Sequence, residues 1–167
     1  MANYRGHIGG AVVVCAGYVA AAAFLPVEWA AKTGYILADW QMVAALFIIA
    51  MLFGLWPDID TNSKAQDIFF GVAFICDILL LATGRIEAAA YLGLLAMIPI
   101  VGKHRGWTHS KLAMVLVPLP ILIVPYLYNE NHLLPAALFY GAALCGYFSH
   151  LLLDGLIWRG FRIKGGW

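Results

Sequence analysis

Residues 133–158 read LLPAALFYGAALCGYFSHLLLDGLIW, and this stretch decides the fold class. It is long and apolar enough to cross the roughly 30 Å hydrocarbon layer of a bilayer as one helix. It also carries His150 and Asp154, which lie four positions apart and therefore on one helix face. Because ionisable groups at membrane depth are costly, the pair predicts a metal-binding or catalytic site. The alternative is a hydrogen-bonded pair that holds two helices together.

The composition of the whole chain also places it in a membrane. Apolar residues make up 63% of the 167 positions and charged residues only 11%, with a mean hydropathy of +0.85. Such a chain has too little polar surface for a soluble globule, and its length suits one transmembrane domain over residues 1–167. The net charge of +1, without a basic stripe, argues against a nucleic-acid partner. The three cysteines, Cys15, Cys76 and Cys145, lie singly in apolar runs and are expected to be core residues.

Long apolar runs recur along the sequence. They cover residues 8–25, 40–56, 68–83, 86–101, 112–128 and 133–158. The pattern predicts an all-α integral membrane bundle of about six transmembrane helices. Only Gly84 and Arg85 separate the third run from the fourth, which predicts a tight turn with glycine ending the helix. The first run lacks an obvious small-x-small cleavage site, so we interpret it as a span rather than a removed signal peptide.

The basic residues are distributed unevenly between the two sides of this topology. Eight of the ten fall in the segments that share a side with the termini: Arg5, Lys64, Lys103, Arg105, Lys111, Arg159, Arg162 and Lys164. Only Lys32 and Arg85 fall on the other side. By the positive-inside rule, both termini are expected in the cytoplasm.

The same topology gathers the residues that could bind metal or do chemistry. It places His7, Asp58, Asp60, His104 and His109 at the cytoplasmic face. His150 and Asp154 are expected roughly 13 and 7 Å inward of Arg159, at 1.5 Å per helical residue. The site is therefore predicted to be recessed below the headgroups. His132 falls on the opposite side and is not expected to join it, whereas Asp77 is expected to make a buried polar contact within the third span.

Two loop motifs contribute to this predicted site. Pro57 should end the second helix, and an extended turn at Asp58-Ile59-Asp60 would direct both carboxylates to one side, where hard divalent ions could bind. The alternative is an ordinary polar loop that caps the next helix. The second motif, residues 104–110, reads HRGWTHS and places two imidazoles around a glycine turn. Its Arg105 could hold a phosphate, and Thr108 and Ser110 could cap the following helix.

The candidate ligands are too many for one tetrahedral ion. Four imidazoles and three carboxylates are available: His7, Asp58, Asp60, His104, His109, His150 and Asp154. This number suits two divalent ions, with zinc, manganese or iron each able to serve. A pair of such ions activates water and stabilises charge during displacement at phosphorus.

The motifs resemble those of the YdjM-like family. The similarity lies in Arg-Gly-His near the start, Pro-Asp-Ile-Asp after the second run, His-Arg-Gly-x-Thr-His-Ser before the fifth, and Ser-His-Leu-Leu-Leu-Asp in the last. The resemblance implies a metal-dependent hydrolase of the bacterial inner membrane, distantly similar to zinc-dependent phospholipase C and the P1-type nucleases. It also implies metal ligation by the same seven residues.

These observations predict a multi-pass inner-membrane hydrolase that cleaves a phosphoester of a lipid or lipid-linked substrate at the cytoplasmic face. Arg105 would hold the phosphate, and Asp60 or Asp154 could act as general base. One alternative is an ion or proton transporter, which would need polar residues along the whole path. Another is a non-catalytic subunit that metal stabilises within a larger complex. Protein partners and a homo-oligomer both stay open.

Overall fold

In the computed structural model, which describes residues 3–24, 27–59, 64–101 and 107–157, every regular element is helical. The α-helices are α1 (Tyr4–Ala23), α2 (Val27–Leu37), α3 (Trp40–Leu55), α4 (Lys64–Ala82), α5 (Ile86–Val101), α6 (Lys111–Leu116), α7 (Leu119–Tyr128) and α8 (Leu133–Leu153). Short 3₁₀ turns cover Trp56–Asp58 after α3 and Glu130–His132 before α8. The predicted all-α class is confirmed.

Within the described residues, four segments are long and apolar enough, by length and composition, to cross a membrane. They are Tyr4–Ala23, Trp40–Asp58, Lys111–Tyr128 and Glu130–Leu153. These coincide with the predicted runs at 8–25, 40–56, 112–128 and 133–158. The other two runs correspond to α4 and α5. The prediction of an integral membrane helical bundle is therefore confirmed.

Three of these helices, α1, α3 and α8, pack together as the centre of the bundle. Glycine allows α3 and α8 to approach closely, since a Cβ on Gly146 would collide with the backbone carbonyl of Ala50. An apolar cluster fills the space between the three helices and includes Cys15, Leu46 and Ala142. The centre of the bundle fixes the relative positions of the helix ends where the candidate site lies.

The turn predicted between the third and fourth runs is present between α4 and α5. Gly84 adopts a φ of 75°, which a residue with a side chain rarely adopts. The N–H of Arg85 donates to the Leu80 carbonyl at 2.8 Å, and the N–H of Gly84 donates to the Leu81 carbonyl at 3.0 Å. This pair of bonds is the Schellman arrangement, which satisfies carbonyls at a helix end.

The last helix ends five residues before the predicted limit of 158. Gly155 has a φ of 68°, and the N–H of Leu156 donates to the Leu151 carbonyl at 2.8 Å, so a second Schellman turn follows α8. Asp154 is consequently the C-cap residue rather than part of a continuing helix. The predicted depth was obtained by counting helical residues inward from Arg159, and that count does not apply because α8 ends at Leu153.

Two further features differ from the sequence-based prediction. Helix α2 covers 11 residues that lie between the first two predicted spans, where no helix was predicted. The fifth predicted span is interrupted between α6 and α7, where Val117 and Pro118 separate the two helices. Proline has no N–H to donate to the preceding turn, which explains the interruption.

Candidate metal centre

Five of the seven predicted ligands meet at one end of the bundle. His7 lies in the first turns of α1, Asp58 in the 3₁₀ turn after α3, His109 just before α6, and His150 and Asp154 at the end of α8. The chain thus brings together four segments that are far apart in sequence. The other two predicted ligands, Asp60 and His104, and the predicted phosphate-binding Arg105 lie outside the described residues.

The Asp58 carboxylate faces all three imidazoles. Its Oδ1 lies 3.5 Å from His109 Nε2 and 3.7 Å from His150 Nε2. Its other oxygen, Oδ2, lies 3.8 Å from His7 Nε2. One carboxylate therefore presents separate oxygens to different imidazoles.

The Asp154 carboxylate divides its oxygens in a similar way. Its Oδ1 lies 3.7 Å from His7 Nε2, and its Oδ2 lies 3.6 Å from His150 Nε2. His7 and His150 therefore both face Asp58 and Asp154, and their rings stack with centroids 3.9 Å apart and planes inclined by 18°.

These separations are compatible with donor atoms placed around a shared cation, and the donor atoms of His7, His150 and Asp154 and those of Asp58, His109 and His150 form two groups that could each hold a metal ion. A charge-assisted N–H···O bond spans about 2.7–2.9 Å, so each N···O distance here is too long for one. Donor atoms about 2.0–2.2 Å from a tetrahedral ion lie about 3.3–3.6 Å from one another, close to the distances observed. The Nε2 atoms of His7, His109 and His150 are also buried and have no hydrogen-bond partner among the described residues.

The orientation of His150 is fixed by the backbone of α3. Its Nδ1 lies 2.8 Å from the carbonyl oxygen of Gly54, a distance at which Nδ1–H donates to that oxygen. The neutral ring then has its lone pair on Nε2, pointing toward the two carboxylates. Electron pairs facing one another repel unless a cation lies between them, so this tautomer favours a metal ligand.

His109 is held by a second set of contacts. Its Nδ1 lies 3.2 Å from the Thr108 hydroxyl oxygen, which can accept a hydrogen bond from Nδ1–H, and this tautomer leaves the lone pair on Nε2. The hydroxyl group of the buried Tyr147 of α8 donates a hydrogen bond to the Thr108 carbonyl. Helix α8 therefore carries His150 and also anchors the turn that presents His109.

The five residues differ in their access to solvent. The side chains of His7, His150 and Asp154 are almost fully buried. Asp58 is 27% exposed and His109 15% exposed. The neighbouring Trp107 is also exposed. The cluster is thus closed on the side of α1 and accessible on the side of Asp58 and His109.

Some details of the predicted motifs are corrected. The backbone at Asp58 and Ile59 is helical, with φ −71° and ψ −20° at Ile59, so the expected extended turn is wrong for these two residues. Pro57 is part of the 3₁₀ turn, which continues the helical winding beyond α3. Ser110 caps α6 as predicted, since its hydroxyl accepts from the Ala113 N–H at 3.0 Å. Thr108 does not cap that helix and contacts His109 instead.

Sequence reasoning missed the residues that orient the ligands. Gly54 contributes only a carbonyl, which no side-chain pattern reveals. Tyr147 lies three positions before His150, about one helical turn away, but nothing in the sequence indicates that its hydroxyl reaches the turn before α6. Both roles depend on contacts between helices.

The two residues that we did not assign to the site lie elsewhere. His132 is exposed in the turn that precedes α8, at the opposite end of the helix from His150. Asp77 lies within α4, where its Oδ1 is buried and has no hydrogen-bond partner among the described residues. His132 therefore lies away from the cluster, and the buried polar contact predicted for Asp77 stays a prediction.

Comparison with known proteins gives a family for the chain. No curated protein and no solved structure matches the sequence significantly. The family described as YdjM inner membrane protein matches residues 1–163, almost the whole chain and all of the described cluster. The motifs quoted above had suggested the same family. The chain therefore belongs to the YdjM inner membrane protein family.

Proposed function

We propose that this protein is an inner-membrane metal-dependent hydrolase that cleaves a phosphoester. The observation that carries the proposal is the convergence of three buried imidazole Nε2 atoms on two carboxylates, at N···O distances of 3.5–3.8 Å. Imidazole and carboxylate ligands suit zinc, manganese and iron. Divalent ions in such a site activate water for attack and stabilise the charge that develops on phosphoryl oxygens.

The accessible side of the cluster supports catalysis rather than a purely structural metal. Structural sites are closed by protein ligands, whereas catalytic sites keep a position for water or substrate. Asp58 and His109 are the two partly exposed ligands, so a substrate would approach from their side. Asp154 lies between His7 and His150 and would act mainly as a ligand, which leaves Asp60 as the preferred candidate for general base.

The location at the helix ends suggests a lipid substrate. In an inner-membrane protein, helix ends lie at the level of the lipid headgroups, where the phosphoester of a phospholipid or lipid-linked compound is found. The charge distribution along the sequence supports a cytoplasmic orientation of this end. Arg105 belongs to the segment between α5 and α6 and would bind the phosphate.

The interior of the bundle favours an enzyme over a transporter. Beyond the cluster, α1, α3 and α8 are joined by apolar side chains and small residues, including Cys15, Leu46 and Ala142. A transport path would need polar groups through this region. A non-catalytic subunit is the remaining competitor, and only turnover distinguishes it from a hydrolase.

The proposal is tested by measuring metal content and turnover together. The purified protein, loaded with manganese or zinc, is incubated with a panel of phospholipids and lipid-linked phosphates, and phosphate or headgroup release is followed. We expect release that a chelator abolishes, that Asp58→Ala eliminates and that His132→Ala leaves unchanged. Absence of release across the panel from metal-loaded protein contradicts the hydrolase proposal, and unaltered metal content in Asp58→Ala contradicts the metal centre.

A further inference from the structure

We infer that the centre holds two metal ions, with Asp58 and Asp154 each bridging the pair, one ion bound to His7 and the other to His150 and His109. This assignment deepens the metal centre proposed above and rests on it. It specifies which ligand serves which ion, and it does not depend on the identity of the substrate.

The stacked imidazoles are the first observation that favours two ions over a single ion held by His7, His150 and Asp154, whose donor atoms all lie within 4.8 Å of one another. An imidazole binds a metal through the Nε2 lone pair, which lies in the plane of the ring. The rings of His7 and His150 have centroids 3.9 Å apart and planes inclined by only 18°. Because the two ring planes are nearly parallel and well separated, they do not intersect within bonding distance of either ring. A single ion therefore cannot lie in the planes of both rings. Two ions, one in each plane, would be separated by about the 3.5–4 Å typical of two-metal sites.

The carboxylates provide a second, independent observation. Asp58 directs Oδ2 toward His7 and Oδ1 toward His150. Asp154 directs Oδ1 toward His7 and Oδ2 toward His150. Each carboxylate therefore offers one oxygen to each imidazole, which is the arrangement of a bridging ligand.

His109 distinguishes the two ions. Its Nε2 lies 3.5 Å from Asp58 Oδ1, the same oxygen that faces His150. His109 and His150 therefore share an ion, and that ion lies on the accessible side of the cluster because His109 is partly exposed. The ion of His7 lies on the buried side, among side chains of α1 and α8.

Manganese loading provides a test, because two Mn²⁺ ions bridged by carboxylates are magnetically coupled. In electron paramagnetic resonance, a coupled pair shows hyperfine lines at half the spacing of an isolated ion. We expect two ions per chain and the coupled spectrum in the intact protein and in His132→Ala. We expect His7→Ala to bind one ion with the isolated-ion spectrum, since the ligands on the side of His150 are retained.

The outcomes separate this assignment from the hydrolase proposal. A single ion per chain at saturation, or two ions without coupling, overturns the bridged pair even if phosphoester cleavage is observed. A coupled pair without cleavage of any substrate supports the assignment and contradicts the hydrolase. The spectrum of the intact protein tests the bridged pair of ions without depending on whether a variant folds. If folded His7→Ala keeps the coupled spectrum, the assignment of His7 as a ligand is contradicted.

Discussion

The two ends of α8 each carry a histidine, and the surroundings of the two side chains are opposite. His132 lies in the turn before the helix and is exposed. His150, about 27 Å further along at 1.5 Å per residue, is fully buried and faces two carboxylates and two other imidazoles. Both residues are histidines, so residue type does not explain the difference between them. What makes His150 a candidate ligand is that three other chain segments meet beside it.

The largest expected effect comes from truncating these two histidines in parallel. His150→Ala should lower metal affinity by more than about 100-fold, because it removes a ligand whose orientation is fixed by the Gly54 carbonyl. His132→Ala should leave affinity unchanged, since its ring lies at the far end of the helix. Titration of both purified variants with zinc measures the difference. Equal zinc affinities in the two variants would contradict the prediction that His150 is a ligand and His132 is not.

A second, smaller effect is expected from the close approach of α3 and α8. Gly146→Ala should destabilise the folded protein by about 1–3 kcal/mol, because the added Cβ meets the Ala50 carbonyl. The matched control is Gly17→Ala in α1, where a Cβ would meet nothing within 4 Å and should be neutral or stabilising. The free energies of unfolding of the two variants, measured in mixed detergent micelles, test this difference. Similar stabilities would show that the crossing of α3 and α8 tolerates a wider separation.

The smallest effect is expected from the hydroxyl groups of α8. Tyr147→Phe removes the bond to the Thr108 carbonyl and should weaken metal binding about tenfold, because the turn carrying His109 loses an anchor. Tyr140→Phe removes a comparable bond, to the Val115 carbonyl, that does not touch this turn, and should leave metal binding unchanged. Zinc titration of both folded variants provides the measurement. Equal affinity in the two would limit Tyr147 to a purely structural role.

The helices were largely predictable because their length and apolar character are local properties of the chain. The positions of α1, α3, α4, α5 and α8 follow the apolar runs, and the turn at Gly84 follows from glycine alone. Helix α2 was missed because its 11 residues are too few for a span of about 20. The end of α8 was misplaced because the apolar run continues beyond Gly155, while the backbone conformation at that glycine terminates the helix.

The candidate site was partly predictable for a different reason. Counting crossings places the ends of alternate helices on one side, and this places His7, Asp58 and His109 beside the end of α8. Counting membrane crossings could not give the distances between the candidate ligands or the tautomers of their imidazoles. Those depend on how closely α1, α3 and α8 pack, and therefore on contacts such as that between Gly146 and Ala50.

The sequence by itself determined that this chain is a helical membrane protein, because hydropathy is a local property of each segment. It also predicted five ionisable residues that the structure brings together at one end of the bundle: His7, Asp58, His109, His150 and Asp154. The tertiary structure alone decided that two imidazoles stack, that each carboxylate divides its oxygens between them, and that Gly54 and Tyr147 orient the site. Those relations join residues of different helices, and no spacing within one segment encodes them.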